Sequence, residues 1–189
     1  VSSAVRSDGF VALGYFARNE VEVFDSHGAS VRQFSADAFA DTSGAGTDPA
    51  QVEVTQDGKT LLTVTHSSLR LWDFATGAPR GEPILHDGWI VYRSFSADSR
   101  LLAGAYGSTV LVWDTETGQQ VIEPLIYSSP VKGILFHPTD PHILAVQSVD
   151  RSVRLWNVGS TSRYRTLAEY PGDPEAGNFT SSMVAFSPT

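Results

Sequence analysis

Five histidines, at positions 27, 66, 86, 137 and 142, are the residues best suited to metal binding or acid–base catalysis in this chain. A metal site needs several ligands at close, regular spacing, and a nucleophilic site needs a base within reach of its Ser or Thr. All five histidines fall in segments predicted as turns, with no ligand spacing among them. No H-E-x-x-H, G-x-S-x-G or G-x-x-x-x-G-K-[ST] occurs. "DTSGAGTD" at 41–48 mixes acids with glycine, but its order fits neither a calcium loop nor an aspartic-protease motif. Asn178 in "NFT" is a glycosylation acceptor only if the chain is secreted by a eukaryote. The residues therefore point to no catalytic, cofactor-binding or metal-binding set, and the chain reads as a non-enzyme.

Trp89, Tyr106 and Tyr127 are large aromatics at or next to predicted connections, and such side chains dominate binding hot spots. Asp87 and Asp150 lie beside them and favour a basic partner through electrostatic steering. These five residues form the candidate partner-binding set.

The elements that position them are repeated. "VEVFD", "LRLWD", "VLVWD" and "VRLWN" place an aromatic at Phe24, Trp72, Trp113 and Trp156, spaced 48, 41 and 43 residues apart. A turn signal precedes each aromatic: "VRSDG" at 5, "VTQDG" at 54, "FSADS" at 95 and "FHPTD" at 136. Apolar runs between the two signals, and a weaker run after each aromatic, make four short strands per repeat, termed a to d. Alternation puts Leu71 and Asp73 on one face of strand c and Arg70 and Trp72 on the other, so the repeated aromatics are assigned to packing.

Period and content resemble the WD40 repeat of β-propellers, most closely in "FSADSRLLAGAYGSTVLVWDTETGQ" (95–119) and "FHPTDPHILAVQSVDRSVRLWN" (136–157). "TGAPRGEPILHDGWIVYRSFSADSRLLA" is similar to bacterial members of the family. The resemblance implies an all-β propeller of four-stranded antiparallel blades, about four in this chain. Blade limits fall near 1–35, 50–86, 89–127 and 130–170, with a further blade starting at 182–189. In strong members a His, a Ser and an Asp link to the strand-c Trp, but no repeat here carries the full set. The third has His86 and Trp113 with Ala105 and Gly107. The fourth has Ser148, Asp150 and Trp156 with Tyr127 for His. The second has His66 at the Asp position, and the first has Arg18 there.

The resemblance also implies a protein–protein interaction scaffold of the signalling kind, docking partners on the face that bears the d–a and b–c connections. Two long acidic d–a connections, 35–50 and 169–182, are expected on that face. The alternative is a propeller enzyme or a sugar- or small-ligand-binding propeller that uses the central channel mouth. The strand-a starts Gln51, Trp89 and Val131 carry no catalytic character for it.

Bulk properties agree. A net charge of −8 with only two lysines, Lys59 and Lys132, argues against nucleic acid as the partner. No apolar run approaches the roughly 18 residues of a membrane span, and no membrane association is expected. The absence of cysteine excludes disulfides, and the expected location is cytoplasmic. Four blades are fewer than a usual ring, so further blades from a longer chain or from a second copy are expected to close it.

Overall fold

Apolar–polar alternation over four to six positions, ended by Asp-Gly or Asp-Thr turns, favours short antiparallel strands over helices. The computed structural model describes residues 2–15, 20–34, 51–65, 68–150, 152–159, 166–170 (backbone) and Phe186. These described residues contain sixteen strands and no helix. The strands form four sheets, each a meander of four antiparallel strands. The first comprises β1 (Ser2–Val5), β2 (Val11–Tyr15), β3 (Glu20–Phe24) and β4 (Ser30–Phe34). The second comprises β5 (Gln51–Val54), β6 (Thr60–Val64), β7 (Ser68–Asp73) and β8 (Pro79–Leu85). The third comprises β9 (Tyr92–Phe95), β10 (Leu101–Tyr106), β11 (Thr109–Asp114) and β12 (Leu125–Ile126). The fourth comprises β13 (Val131–Phe136), β14 (Ile143–Ser148), β15 (Val153–Asn157) and β16 (Thr166–Tyr170). Arg18, His66, the insertion 35–50 and most of 169–182 and 182–189 lie outside the described residues.

The chain divides into two compact units. The first holds residues 1–89 with 116–118, and the second holds 90–115 with 119–189. In the first unit, Ala12, Val21, Val23 and Phe34 of the first sheet pack on Val52, Leu61, Trp72 and Phe74 of the second. In the second unit, Ala103, Val110, Val112 and Leu125 of the third sheet pack with Ile134, Phe136, Leu144 and Val146 of the fourth. A four-stranded sheet with two apolar faces is stable only when stacked, and these pairs are the stacks.

One register recurs. Phe24, Trp72, Trp113 and Trp156 all stand on third strands, opposite Val11, Leu61, Leu102 and Leu144. Trp72 and Trp113 are buried, while Phe24 and Trp156 are half-buried. Trp72 meets Phe34 edge-on at 5.8 Å, carries Arg70 over its ring at 4.7 Å and donates its indole N–H to Thr63 Oγ1 at 3.0 Å. Trp113 lies against Gly104, where an added Cβ would stand 2.8 Å from the ring.

Turn chemistry explains the polar clusters between strands. In the a–b turns, Asp57 accepts from Thr55 Oγ1 and Lys59 N, at 2.6 and 3.0 Å, and Asp98 accepts from Ser96 Oγ and Arg100 N, at 2.7 and 3.1 Å. Asp8 does the same with the Arg6 side chain and Phe10 N. The residue after that aspartate is left-handed, filled by Gly58 at φ +69° and, in the third repeat, by Ser99 at φ +61°. The aspartate after the strand-c aromatic closes the c–d turn: Asp25 accepts from His27 N and Ala29 N, and Asp73 from Thr76 N and Thr76 Oγ1. Asn157 serves Gly159 N in the fourth repeat.

Those Thr76 donors, with the Arg80 guanidinium at 2.8 Å, hold the Asp73 carboxyl down to about 2 from an ordinary 3.8. A depressed carboxylate contributes stability above its unfolded pKa and loses it as pH falls through the folded value. The loss therefore runs from about pH 4 to about pH 2, and solvent screening holds it to about 1 kcal/mol. Asp73→Asn is expected to flatten this part of the acid limb. Urea unfolding at about pH 5 and about pH 2 measures the difference between the two proteins.

Candidate docking face

Antiparallel strand order places the b–c and d–a connections of a blade at one end and the a–b and c–d turns at the other. In the second unit these connections are stitched into one backbone row. Tyr106 ends β10 and pairs with Thr109 across the Gly107–Ser108 turn, with Gly107 at φ +52°. Tyr127 N donates to Ser108 O at 2.9 Å, and Val131 N donates to Gly107 O at 2.7 Å. Val149 N then donates to Pro130 O at 2.8 Å, and Ser148 Oγ reaches the same carbonyl at 3.2 Å. The b–c turn of the third blade, the d–a connection 127–130 and the b–c turn of the fourth blade thus hold one another in place.

Side chains on this row divide into supports and exposed groups. Tyr127 is a support: it is only 4% exposed, its ring meets Trp156 edge-on at 6.3 Å, and Arg154 lies over it at 4.9 Å. Its hydroxyl accepts the Trp156 indole N–H at 2.6 Å, and burial pushes the phenol up to about 12. The expectation that Tyr127 is a surface anchor is corrected by this placement. The position that carries His in strong repeats still serves the strand-c tryptophan, with a phenol in the role. Asp150 is exposed, and its Oδ1 accepts from Ser152 N and Ser152 Oγ at 2.9 and 2.6 Å, which lowers its pKa. Tyr106 is half-buried at the hairpin tip.

Asp87 and Trp89 belong to the first unit, on the connection that follows β8. Asp87 is exposed and Trp89 half-buried, while the neighbouring His86 is buried with Nδ1 2.7 Å from Gly88 O. The second unit therefore brings Tyr106 and Asp150 onto one row with Tyr127 beneath it.

Sequence reasoning missed the exposed aliphatics on this row. Val149 in the fourth blade's b–c turn is 56% exposed, and Ile126, paired with Thr109, is 70% exposed. A valine at the tip of a turn otherwise made of Asp, Arg and Ser was the available signal.

At the opposite end of the first unit, the a–b and c–d turns enclose an open cavity of about 450 Å³. Arg6, Lys59 and Arg80 line it together with Asp8, Asp57 and Asp73. Each cation faces a carboxylate, so the cavity carries no excess of either charge. Among the described residues, no three His, Asp or Glu side chains are grouped as metal ligands.

Comparison with known proteins follows the fold. Residues 124–157 match the family model "WD domain, G-beta repeat". The Periodic tryptophan protein 2 homolog of Schizosaccharomyces pombe is 29% identical over 130 residues, which are 67% of this chain and 14% of that protein. Target of rapamycin complex subunit LST8 of Saccharomyces cerevisiae is 27% identical over 100 residues, 50% of this chain and 32% of that protein. The chain thus spans less than a third of the length of these curated relatives. A chain in the crystal structure of the mitotic checkpoint complex superposes with a TM-score of 0.65 at 14% identity. That match covers 91% of this chain and 54% of the other, and it is a likeness of fold.

Proposed function

Because this chain belongs to the WD40-repeat family of β-propellers, we propose that it is a non-catalytic scaffold that docks other proteins on its b–c and d–a connections. The observation that carries this reading is the hydrogen-bonded row in the second unit, which presents Tyr106, Val149 and Asp150 from two blades on one rigid surface. Rigid presentation lowers the ordering cost of binding, and an aromatic beside exposed aliphatics supplies an apolar anchor. One similar protein supports it by name, as a complex subunit. A partner with a basic surface suits Asp150, Asp87 and the net charge of −8. Trp89 stands on the connection after β8 in the first unit, by itself. A cytoplasmic location belongs to this reading.

The test compares exposed residues with their buried support. Tyr106→Ala and Val149→Ala are each expected to weaken partner binding by about 1–2 kcal/mol with no change in melting temperature. Asp150→Asn is expected to slow association and reduce its salt dependence. Tyr127→Phe leaves the Trp156 N–H without its acceptor, so it should cost about 1–2 kcal/mol of stability and leave affinity unchanged. Isothermal titration with the purified partner, beside thermal melts, reads both quantities. Full affinity in folded Tyr106→Ala and Val149→Ala proteins would overturn the assignment.

A further inference from the structure

The open cavity at the turn end of the first unit is balanced in charge but not in hydrogen-bonding capacity. Its walls are the a–b turns of the first two blades and the c–d turn of the second, all within one compact unit. The carboxylates there are occupied by their own turns. Asp57 Oδ1 accepts from Thr55 Oγ1 and Lys59 N, and Asp73 Oδ1 accepts from Thr76 N and Thr76 Oγ1. Asp8 accepts from Nε and Nη2 of Arg6. Arg6 gives its other arm to Gly58 O and lies between the Phe10 and Phe74 rings, so it too is fully engaged. The two remaining cations keep unused donors. Arg80 has the five N–H groups of a guanidinium and commits one, from Nη2 to Asp73 Oδ2 at 2.8 Å. Lys59 has the three of an ammonium, and Asp57 Oδ2 stands 4.0 Å away, beyond hydrogen-bond distance. Ser7 is exposed on the same wall, and its hydroxyl makes no bond among the described residues.

We propose that this cavity binds a small carboxylate ligand between Arg80 and Lys59. A planar carboxylate fits a two-donor edge of a guanidinium through parallel N–H···O bonds, and an ammonium beside it adds a point charge. With Asp73 held on Nη2 alone, Arg80 retains such an edge. Ser7 supplies a further hydroxyl donor from the facing turn. The balance of charges sets the ligand's own. Asp8, Asp57 and Asp73 repel each negative charge added beside them, which favours a single carboxylate over a phosphate dianion. A volume of about 450 Å³ lies in the range of small-molecule sites, so the occupant is a small molecule and not a partner's surface. The site shares no residue with the docking face, and its failure leaves the proposed function standing.

Saturation-transfer NMR on the intact protein, at constant ionic strength, tests this with a matched pair of probes. N-acetylglycine carries one carboxylate as its only charge, and N-acetylglycinamide has the same frame without it. The acid is expected to give a saturable signal and the amide none. Lys59→Ala removes a side chain that is 76% exposed, so the fold stays intact, and binding should weaken about fivefold. Asp57→Asn keeps an oxygen for Thr55 and Lys59 N but removes a repelling charge, so it should tighten binding about twofold. Adsorption to the surface in general would not move in opposite directions with these two changes. Four results each overturn the proposal: equal or absent signals from the two probes, unchanged affinity in Lys59→Ala, weaker binding in Asp57→Asn, or inorganic phosphate that binds more tightly than N-acetylglycine.

Discussion

Trp72→Ala is expected to destabilise the first unit by about 4 kcal/mol, the range measured for removing a large buried aromatic. The ring is 4% exposed and stacked between elements of two blades: Phe34 from the first sheet meets it edge-on, and Arg70 covers its other side. Its removal leaves a cavity at the blade junction and takes the donor from Thr63, whose hydroxyl accepts the indole N–H. Trp72→Phe keeps most of the area and loses the hydrogen bond, so it should cost about 1–2 kcal/mol. Chemical denaturation followed by far-ultraviolet circular dichroism separates the two losses. Equal midpoints for Trp72→Ala and the unaltered chain would show that the recurring aromatic is not what holds the blades.

Gly81→Ala is the second large effect, expected at about 2–3 kcal/mol from two sources. Gly81 lies in β8 at φ +67°, within a register shift where Leu69 pairs with Ile84 and Leu71 with Arg80. An L side chain there costs about 1 kcal/mol or more. An added Cβ would also stand 2.8 Å from Thr117 O, a backbone atom that cannot swing aside. Gly28→Ala is the matched control: its φ is +81°, but no described atom lies within 4 Å. Gly28→Ala should show the conformational part alone, about 1 kcal/mol, and thermal melts of the pair isolate the cost of close approach.

The sheets were legible because one register recurs and its turns are chemically explicit. The aspartate after the aromatic, replaced by Asn157 in the fourth repeat, is needed twice over, to end strand c and to accept the turn's backbone donors, so "WD" reads as a strand with its stop. The a–b signal is equally direct, since an aspartate bonded to the first residue's hydroxyl is a local structure that needs no distant partner. The candidate site was less legible because exposure is not local. Tyr127 and Tyr106 both sit beside connections, yet Tyr127 lies over Trp156, twenty-nine positions along, and becomes core. Val149, in a turn, and Ile126, at a strand end, are apolar yet exposed, because the turn carbonyl and cross-strand bonds fix them outward. Likewise Arg6 reads as a turn cation, but it is held between Phe10 and Phe74 at 4.5 Å from each ring and donates to Gly58 O.

Docking on the b–c and d–a end of the blades, and not on the other, is the central claim, and photo-crosslinking tests it most directly. A photoreactive amino acid is placed in the intact protein at Tyr106 or Val149 on one end, and at His27 or Thr76 in the c–d turns at the other. None of the four is a core residue: Val149, His27 and Thr76 are exposed and Tyr106 is half-buried. With the partner present, adducts are expected from Tyr106 and Val149 and none from His27 or Thr76. Adducts from the c–d turns alone, or equally from both ends, would contradict the account.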